Sequence, residues 1–353
     1  MMRNGLPKKP SCSLNNATIE CLIQLLKETT MPRLRQDPHN STDRVPLAAG
    51  TSPERIPDGP DLSFTRHSGL AFGQNDGSAP HIVLAAHAPG AHGISVVRYR
   101  FDNGLHACGT SLHHMIYLTL AHEEKIACRI DDRRLDHVAR RGNLTIIPEG
   151  AICTADGVGS DEGLVLVVPK ETLSFAAAER STSGASVIER LEGEDSILLR
   201  LGTLLAQQVA ENFVDGPLAW YELTEAVTQR LVDVHLTATP AAGRGMLSRD
   251  AFARVIDCIH AGFERQLSVD ELADAAQRSR SHFPRLFRRS VGMSPYQYVI
   301  KVRLKRALAM LPNRSLSMAE ISVRTGFADQ SHMCRWMQRV YGAAPTQLAA
   351  RLR

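Results

Sequence analysis

Between His81 and Pro169 the apolar residues come in short runs separated by Gly, Asn, Asp and Pro. ISVVRYRF, MIYLTLA, KIACRI, LTIIP and LVLVVP have the length and β-branched content of strands, and their spacing suits a sandwich or barrel. The period then changes. Ile197, Leu198, Leu201, Leu204, Leu205 and Val209 recur at helical spacing. So do Trp220, Leu223, Val227, Leu231 and Val234, after the break at Asp215-Gly216-Pro217. Each stripe suits a helix buried in a core or a seam between two copies, and core is the simpler reading of either stripe alone. Residues 1–75 are rich in Pro, Ser, Asn, Asp and Gly and predict a loosely ordered arm. Within it only TIECLIQLLKETT, Thr18 to Thr30, has helical spacing. TATPAAGRGML, Thr237 to Leu247, has the small, flexible composition of a linker.

The last hundred residues contain an internal repeat at an offset of about 50. RSHFPRLFRRSVGMSP aligns with QSHMCRWMQRVYGAAP, so that Ser281, His282, Arg285, Arg289, Gly292 and Pro295 meet Ser331, His332, Arg335, Arg339, Gly342 and Pro345. Phe283 and Phe287 meet Met333 and Met337, which preserves one apolar face. Upstream, LSVDELADAA pairs with LSMAEISVRTG. Each copy predicts a short helix, a tight turn and a second amphipathic helix. In the second copy Gly326 supplies the positive φ that ends the first helix. Phe327 packs the angle, and Asp329 or Ser331 caps the next helix. Gln330, Ser331, His332, Arg335 and Arg339 then share one outward side, in the manner of a helix-turn-helix whose second helix enters the major groove. Between the copies, SPYQYVIKVRLKRALAML predicts one long helix with Tyr298, Val302, Ala307 and Leu311 inward. On this reading Lys301, Lys305 and Arg306 face solvent or phosphate.

These residues give the region from about Phe252 to Leu348 its resemblance to the DNA-binding domain of AraC/XylS-type bacterial transcription regulators. The carrying segments are LSVDELADAA, SHFPRLFRRSVGMSP, the helix with Tyr298, Val302, Arg303, Leu304, Ala307 and Leu311, and ISVRTGFADQS with Arg335 and Gly342-Ala343-Ala344-Pro345. The resemblance implies a seven-helix domain with two helix-turn-helix units reading adjacent major-groove segments. By position it assigns base reading to Ser281 and Arg285, and to Gln330, Ser331 and Arg335. Arg280, His282, Arg289, His332 and Arg339 complete the candidate DNA-binding set. The chain departs from the family's pattern at Gln277-Arg278, where a glycine and an apolar residue are usual. It departs again at Pro284, inside the first reading helix. A proline beyond the first turn costs about 3 kcal/mol, so this helix is expected to begin near Arg280 or Ser281.

Charge agrees with a polyanion partner. Residues 249–353 carry 18 Lys and Arg against 8 Asp and Glu, a net of +10, and the rest of the chain is net −6. The seven scattered cysteines include no CxxC pair, which argues against a disulfide framework or a zinc site. No run of about 18 apolar residues offers a membrane span, and the basic first residues lead into no signal-peptide core. Gly142 to Gly150 fits the G-x5-P-x-G turn of cupin barrels, but Cys153 stands where a metal-binding cupin has His. His113 and His114 are adjacent and would point to opposite faces of a strand. No catalytic residue, metal ligand set or cofactor is therefore assigned, and no nucleophile elbow, P-loop or dinucleotide fingerprint is present.

The expectation is an α+β multidomain protein. Residues 1–75 form the arm, 76–236 a cupin-like β-barrel with helices for sensing or dimerisation, 237–248 a linker, and 249–353 the double helix-turn-helix domain. The resemblance implies a cytoplasmic, nucleoid-associated regulator, an activator by family analogy. Its implied partners are promoter DNA, a second copy of the chain, RNA polymerase and a small-molecule effector, with no membrane. The rival readings are a cupin-type metalloenzyme fused to a DNA-binding tail, and a regulator without effector that is controlled by a protein partner.

Overall fold

In the computed structural model, which describes residues 54–55, 68–87, 93–120, 123–180, 182, 184–238 and 245–351, the apolar runs of the N-terminal region become two antiparallel sheets. The first has the order β1 (Glu54–Arg55), β3 (His81–His87), β4 (Ser95–Phe101), β11 (Asp161–Val168), β6 (His114–Thr119), β9 (Leu144–Ile147). The second has the order β2 (Leu70–Gln74), β5 (Leu105–Thr110), β10 (Ile152–Val158), β7 (Glu123–Ile130), β8 (Arg133–Arg140). Among the described residues neither sheet closes on itself, so the architecture is two facing sheets.

Strand β11 explains the layering. Its side chains alternate between two cores, as the pleat requires. Leu164, Leu166 and Val168 enter a core shared with helices, and Val165 and Val167 enter the core between the sheets. A strand covered on both faces reads as an unbroken apolar run, and LVLVV is one. Strand β7 instead has a solvent face and alternates strictly. One of its inward positions is an acid, Glu124, which is buried at 3% exposure beside Asp161. Gly157 makes room for it, since a Cβ there would stand 2.6 Å from Glu124 Oε1. Burial and the neighbouring Asp161 hold the Glu124 carboxyl well above the usual carboxylate range. Asp161 is shifted upward as well, chiefly by burial, although it accepts a 2.7 Å hydrogen bond from Tyr117.

Three helices cover the outer face of the first sheet: α1 (Lys170–Ala178), α2 (Ser196–Ala210) and α3 (Gly216–Val234). The two apolar stripes pack there as core, with Leu198, Leu205, Val227 and Leu231 fully buried. Ile197 and Val234, at the stripe margins, stay exposed. Asp195 joins these elements. It caps α2 through the Ile197 and Leu198 N–H groups and pairs at 2.8 Å with both Arg230 and His235. Burial alone would raise its pKa, but His235, the helix N–H and Arg230 outweigh burial and hold it far below the usual value.

Seven helices follow: α4 (Arg249–Gly262), α5 (Val269–Ala276), α6 (Phe283–Val291), α7 (Pro295–Met310), α8 (Met318–Arg324), α9 (Gln330–Tyr341) and α10 (Pro345–Arg351). Serine starts most of them. Ser268, Ser294 and Ser317 each form a capping box with Glu271, Gln297 and Glu320.

Some expected boundaries move. Leu70–Gln74 belongs to a sheet rather than to a loose arm, because it pairs with β5 along its whole length. The short strand Glu54–Arg55 likewise pairs with β3. The expected helix from Thr18 to Thr30 lies outside the described residues. At the linker, Leu236–Ala238 forms β13, paired with β12 (Ala185–Val187). Leu247 at its far end is buried and donates its N–H to Ser290 Oγ.

Candidate nucleic-acid interface

Both helix-turn-helix units are built from a capped short helix, a left-handed residue and an amphipathic second helix. In the second unit Gly326 takes φ +76° just after α8. Glycine is required there twice over. A Cβ would meet the Phe263 carbonyl oxygen and would stand 2.9 Å from the Glu264 carbonyl carbon. Phe327 fills the angle at 4% exposure, and Asp329 accepts a 2.6 Å hydrogen bond from the His332 N–H to start α9. Met333, Met337 and Tyr341 are the buried face of α9, and Gln330, Ser331, Arg335 and Arg339 are exposed.

The first unit makes the same turn without a glycine. Gln277 sits in the left-handed region at φ +54° and its N–H closes on the Ala273 and Asp274 carbonyls. The second helix starts later than expected, at Phe283 with His282 as N-cap, which leaves Pro284 in the first turn. Pro284 has no N–H to offer and is tolerated only there. Arg280, Ser281 and His282 therefore lie in the lead-in turn, held by Phe283 N–H to Ser279 O at 2.9 Å. Arg280 pairs with Asp270 at 3.1 Å. Phe283 and Phe287 are buried, and Arg285, Arg288 and Arg289 lie on the exposed side. The Arg289 guanidinium also rests against Gly245.

Two expected side chains have other work. His332 accepts a 2.9 Å hydrogen bond from Trp336 Nε1 and meets the Phe327 ring edge-on, so it is packed into the turn. The Arg339 guanidinium lies 5.3 Å from the Trp336 ring centre. A third expectation is overturned. Lys301 and Lys305 do not face solvent or phosphate. Lys305 pairs with Glu179 and, at 3.4 Å, with Glu225, and Lys301 stands over the Phe175 ring. The acids and the ring belong to α1, its C-cap and α3. Arg306 lies over the Phe263 ring at 5.6 Å.

Sequence reasoning missed Arg303 as a structural group. It is buried and donates from Nε to Phe263 O and from Nη2 to Arg265 O, both at 2.8 Å, which fixes α7 to the end of α4. A lone arginine within an apolar helical stripe was the available signal. The sequence reading also missed α1, whose KETLSFAAA has little amphipathic contrast.

The described residues hold no cluster of three or more His, Cys, Asp or Glu placed to bind a metal. His114, in the β region, accepts a hydrogen bond from the Glu149 N–H, and burial lowers its pKa to about 4. Cys153 is buried between the sheets, which pushes its thiol pKa up. No helix among the described residues is long and apolar enough to cross a membrane.

Residues 272–351 match the family described as "Helix-turn-helix domain". The Msm operon regulatory protein of Streptococcus mutans is 28% identical over 36% of this chain and 44% of its own length. An AraC-like transcription regulator of Streptomyces lividans is 27% identical over 40% of this chain and 48% of its own length. The crystal structure of the DNA-binding domain of AdpA, a global transcriptional factor, in complex with a target DNA, is 30% identical over 29% of this chain and 91% of that one, with a TM-score of 0.28. The chain thus spans less than half the length of these two curated relatives.

Proposed function

The chain belongs to the AraC family through its C-terminal helix-turn-helix domain, and from that premise we propose that it is a sequence-specific DNA-binding transcription regulator. It acts as an activator, contacts RNA polymerase, works as a homodimer in the cytoplasm, and answers a small-molecule effector through the N-terminal β-rich region. The observation that carries the reading is the pair of matched arginines. Arg285 and Arg335 are exposed at corresponding positions of two second helices whose opposite faces are buried. An exposed arginine so placed can bridge guanine O6 and N7, with the surrounding basic residues gaining affinity by releasing counterions from phosphate. Gln330 and Ser331, at the start of α9, are placed to add polar base contacts.

The test is selection of random duplexes by the full-length protein. Two conserved blocks about one helical turn, ~34 Å, apart would support the bipartite reader. A repeat or palindrome of that unit would support the dimer. Enrichment of no sequence, with binding that vanishes as salt rises, would overturn the reading.

A further inference from the structure

A cavity of about 170 Å³ lies between the N-terminal helices and the DNA-binding helices. The space between the two β sheets, where an effector would be sought first, holds only about 40 Å³. That is room for a few waters, whereas an engineered apolar cavity of about 150 Å³ admits benzene.

The walls have a definite chemistry. Phe175 of α1, Trp220 and Tyr221 of α3, Ile300 of α7 and Trp336 of α9 make them largely apolar and aromatic. Set into them is the Lys301 ammonium. It is half-buried, lies 5.2 Å from the Phe175 ring centre, and among the described residues reaches no carboxylate within ion-pair distance. Lys305 also lines the cavity, but Glu179 and Glu225 already neutralise it. Arg339 also lines the cavity and adds a second cation. The site therefore offers an apolar slot and, in the Lys301 ammonium, a cation with no carboxylate in ion-pair contact among the described residues.

We propose that this cavity binds a small organic monoanion, a carboxylate on a compact aromatic or aliphatic body, with the carboxylate on Lys301. The proposal rests on the regulator reading and names the effector's site and class. Its location gives the ligand leverage. The walls include both the long helix α7 and the back of α9, so occupancy touches the helix that carries Arg335 and the helices that cover the β sheet. Regulation follows only if the ligand binds the two arrangements of these helices unequally.

The chain supplies its own reporter, because its two tryptophans, Trp220 and Trp336, both line the cavity. Full-length protein would be titrated with phenylacetate and followed by tryptophan emission, with 2-phenylethanol and 2-phenylethylamine as controls of the same body. Phenylacetate should give a saturable change. The alcohol, the amine and the Lys301→Met variant should each bind about tenfold or more weakly, as loss of a charge-assisted contact implies. Lys301→Arg, which keeps the cation, should recover most of the affinity, and circular dichroism would confirm that both variants are folded. Absence of a saturable change in the folded wild type, or equal affinity in Lys301→Met, would overturn the site. Affinity for the selected duplex, measured with and without phenylacetate, separates the two claims. Phenylacetate binding with unchanged DNA affinity would overturn the effector role while leaving DNA recognition standing. Sequence-specific DNA binding in a protein that ignores phenylacetate would overturn the pocket alone.

Discussion

Gly326→Ala is the substitution whose cost follows most directly from the geometry. Two terms add. Alanine must hold φ +76°, and the left-handed region costs an L-residue about 1–2 kcal/mol. Its Cβ must also find space beside the Phe263 carbonyl oxygen and 2.9 Å from the Glu264 carbonyl carbon. These atoms are backbone and cannot rotate away, so the end of α4 has to shift, at a cost of about 1–3 kcal/mol typical of overpacking. The shift also disturbs the carbonyl that Arg303 Nε donates to. The total is about 3 kcal/mol, a large part of the ~5–15 kcal/mol that holds a domain folded. Gly292→Ala is the control. Gly292 has φ +79°, but the nearest atom to its added Cβ is Glu171 Cγ at an ordinary 3.5 Å. It should therefore lose only the conformational term, about 1 kcal/mol. Urea denaturation of both variants, followed by circular dichroism, measures the difference. If Gly326→Ala cost no more than Gly292→Ala, the close approach of α4 would be wrong. The mirror experiment is Gln277→Gly, which relieves the same conformation in the first unit. It should gain up to about 1 kcal/mol, less the extra freedom glycine brings to the unfolded chain.

Four further outcomes are expected. Arg335→Ala should weaken specific binding by about 1–3 kcal/mol and relax one base position, and an equal loss on every duplex would make it a phosphate contact instead. Lys305→Met should leave the salt slope of DNA binding unchanged, since Lys305 is committed to Glu179 and Glu225; a slope reduced by about one would place it on phosphate after all. Glu124 holds its proton in the folded state at pH values where the unfolded chain releases it. Stability should accordingly fall as pH rises from about 5 to about 8, and Glu124→Gln should flatten that decline in melting temperature across the same range. Burial lowers the Lys301 pKa to about 8 despite Glu171 and Glu225, with Lys305 and Arg339 also facing the cavity. Carboxylate affinity should thus drop by about tenfold per pH unit above that value, and a flat profile up to pH 10 would remove Lys301 from the contact.

The DNA-binding half was legible because its local signals agree with one another. Ser268, Ser294 and Ser317 announce helix starts, and the buried pairs Phe283 with Phe287 and Met333 with Met337 keep helical spacing. The β half was only partly legible. Strands β4, β6, β7, β9 and β11 carry enough apolar residues to be seen, but β8 reads RRLDHVAR because it is a sheet edge with only Ala139 fully inward. Sheet pairing is set by partners far along the chain, so two separate sheets cannot be told from a barrel by periodicity alone. The late start of α6 was a matter of local competition. Pro284 fixes the first turn, and the preceding polar residues form a turn rather than the helix expected at Arg280 or Ser281.

The misassigned lysines show where single-helix reasoning fails. Lys301 and Lys305 lie four apart on α7, and a helix considered alone would turn both to water. Their actual surroundings are made by α1 and α3, more than 60 residues earlier in sequence. Those same contacts give the fold a route for regulation. The back of α9 meets α3 through Tyr341 against Tyr221 at 4.7 Å, and α7 meets α1 through Tyr298 against Phe175 at 5.0 Å. Any rearrangement of α3 must break or remake contacts with the helix that presents Arg335, and any rearrangement of α1 must do so with α7. A ligand in the cavity with a tenfold preference for one arrangement would shift that equilibrium by about 1.4 kcal/mol, and tighter DNA binding must raise the affinity for the ligand by the same factor. That reciprocity can be measured on the full-length protein by repeating the phenylacetate titration with saturating cognate duplex. A Kd identical with and without DNA would mean that the contacts between α9 and α3 hold the fold together but carry no signal.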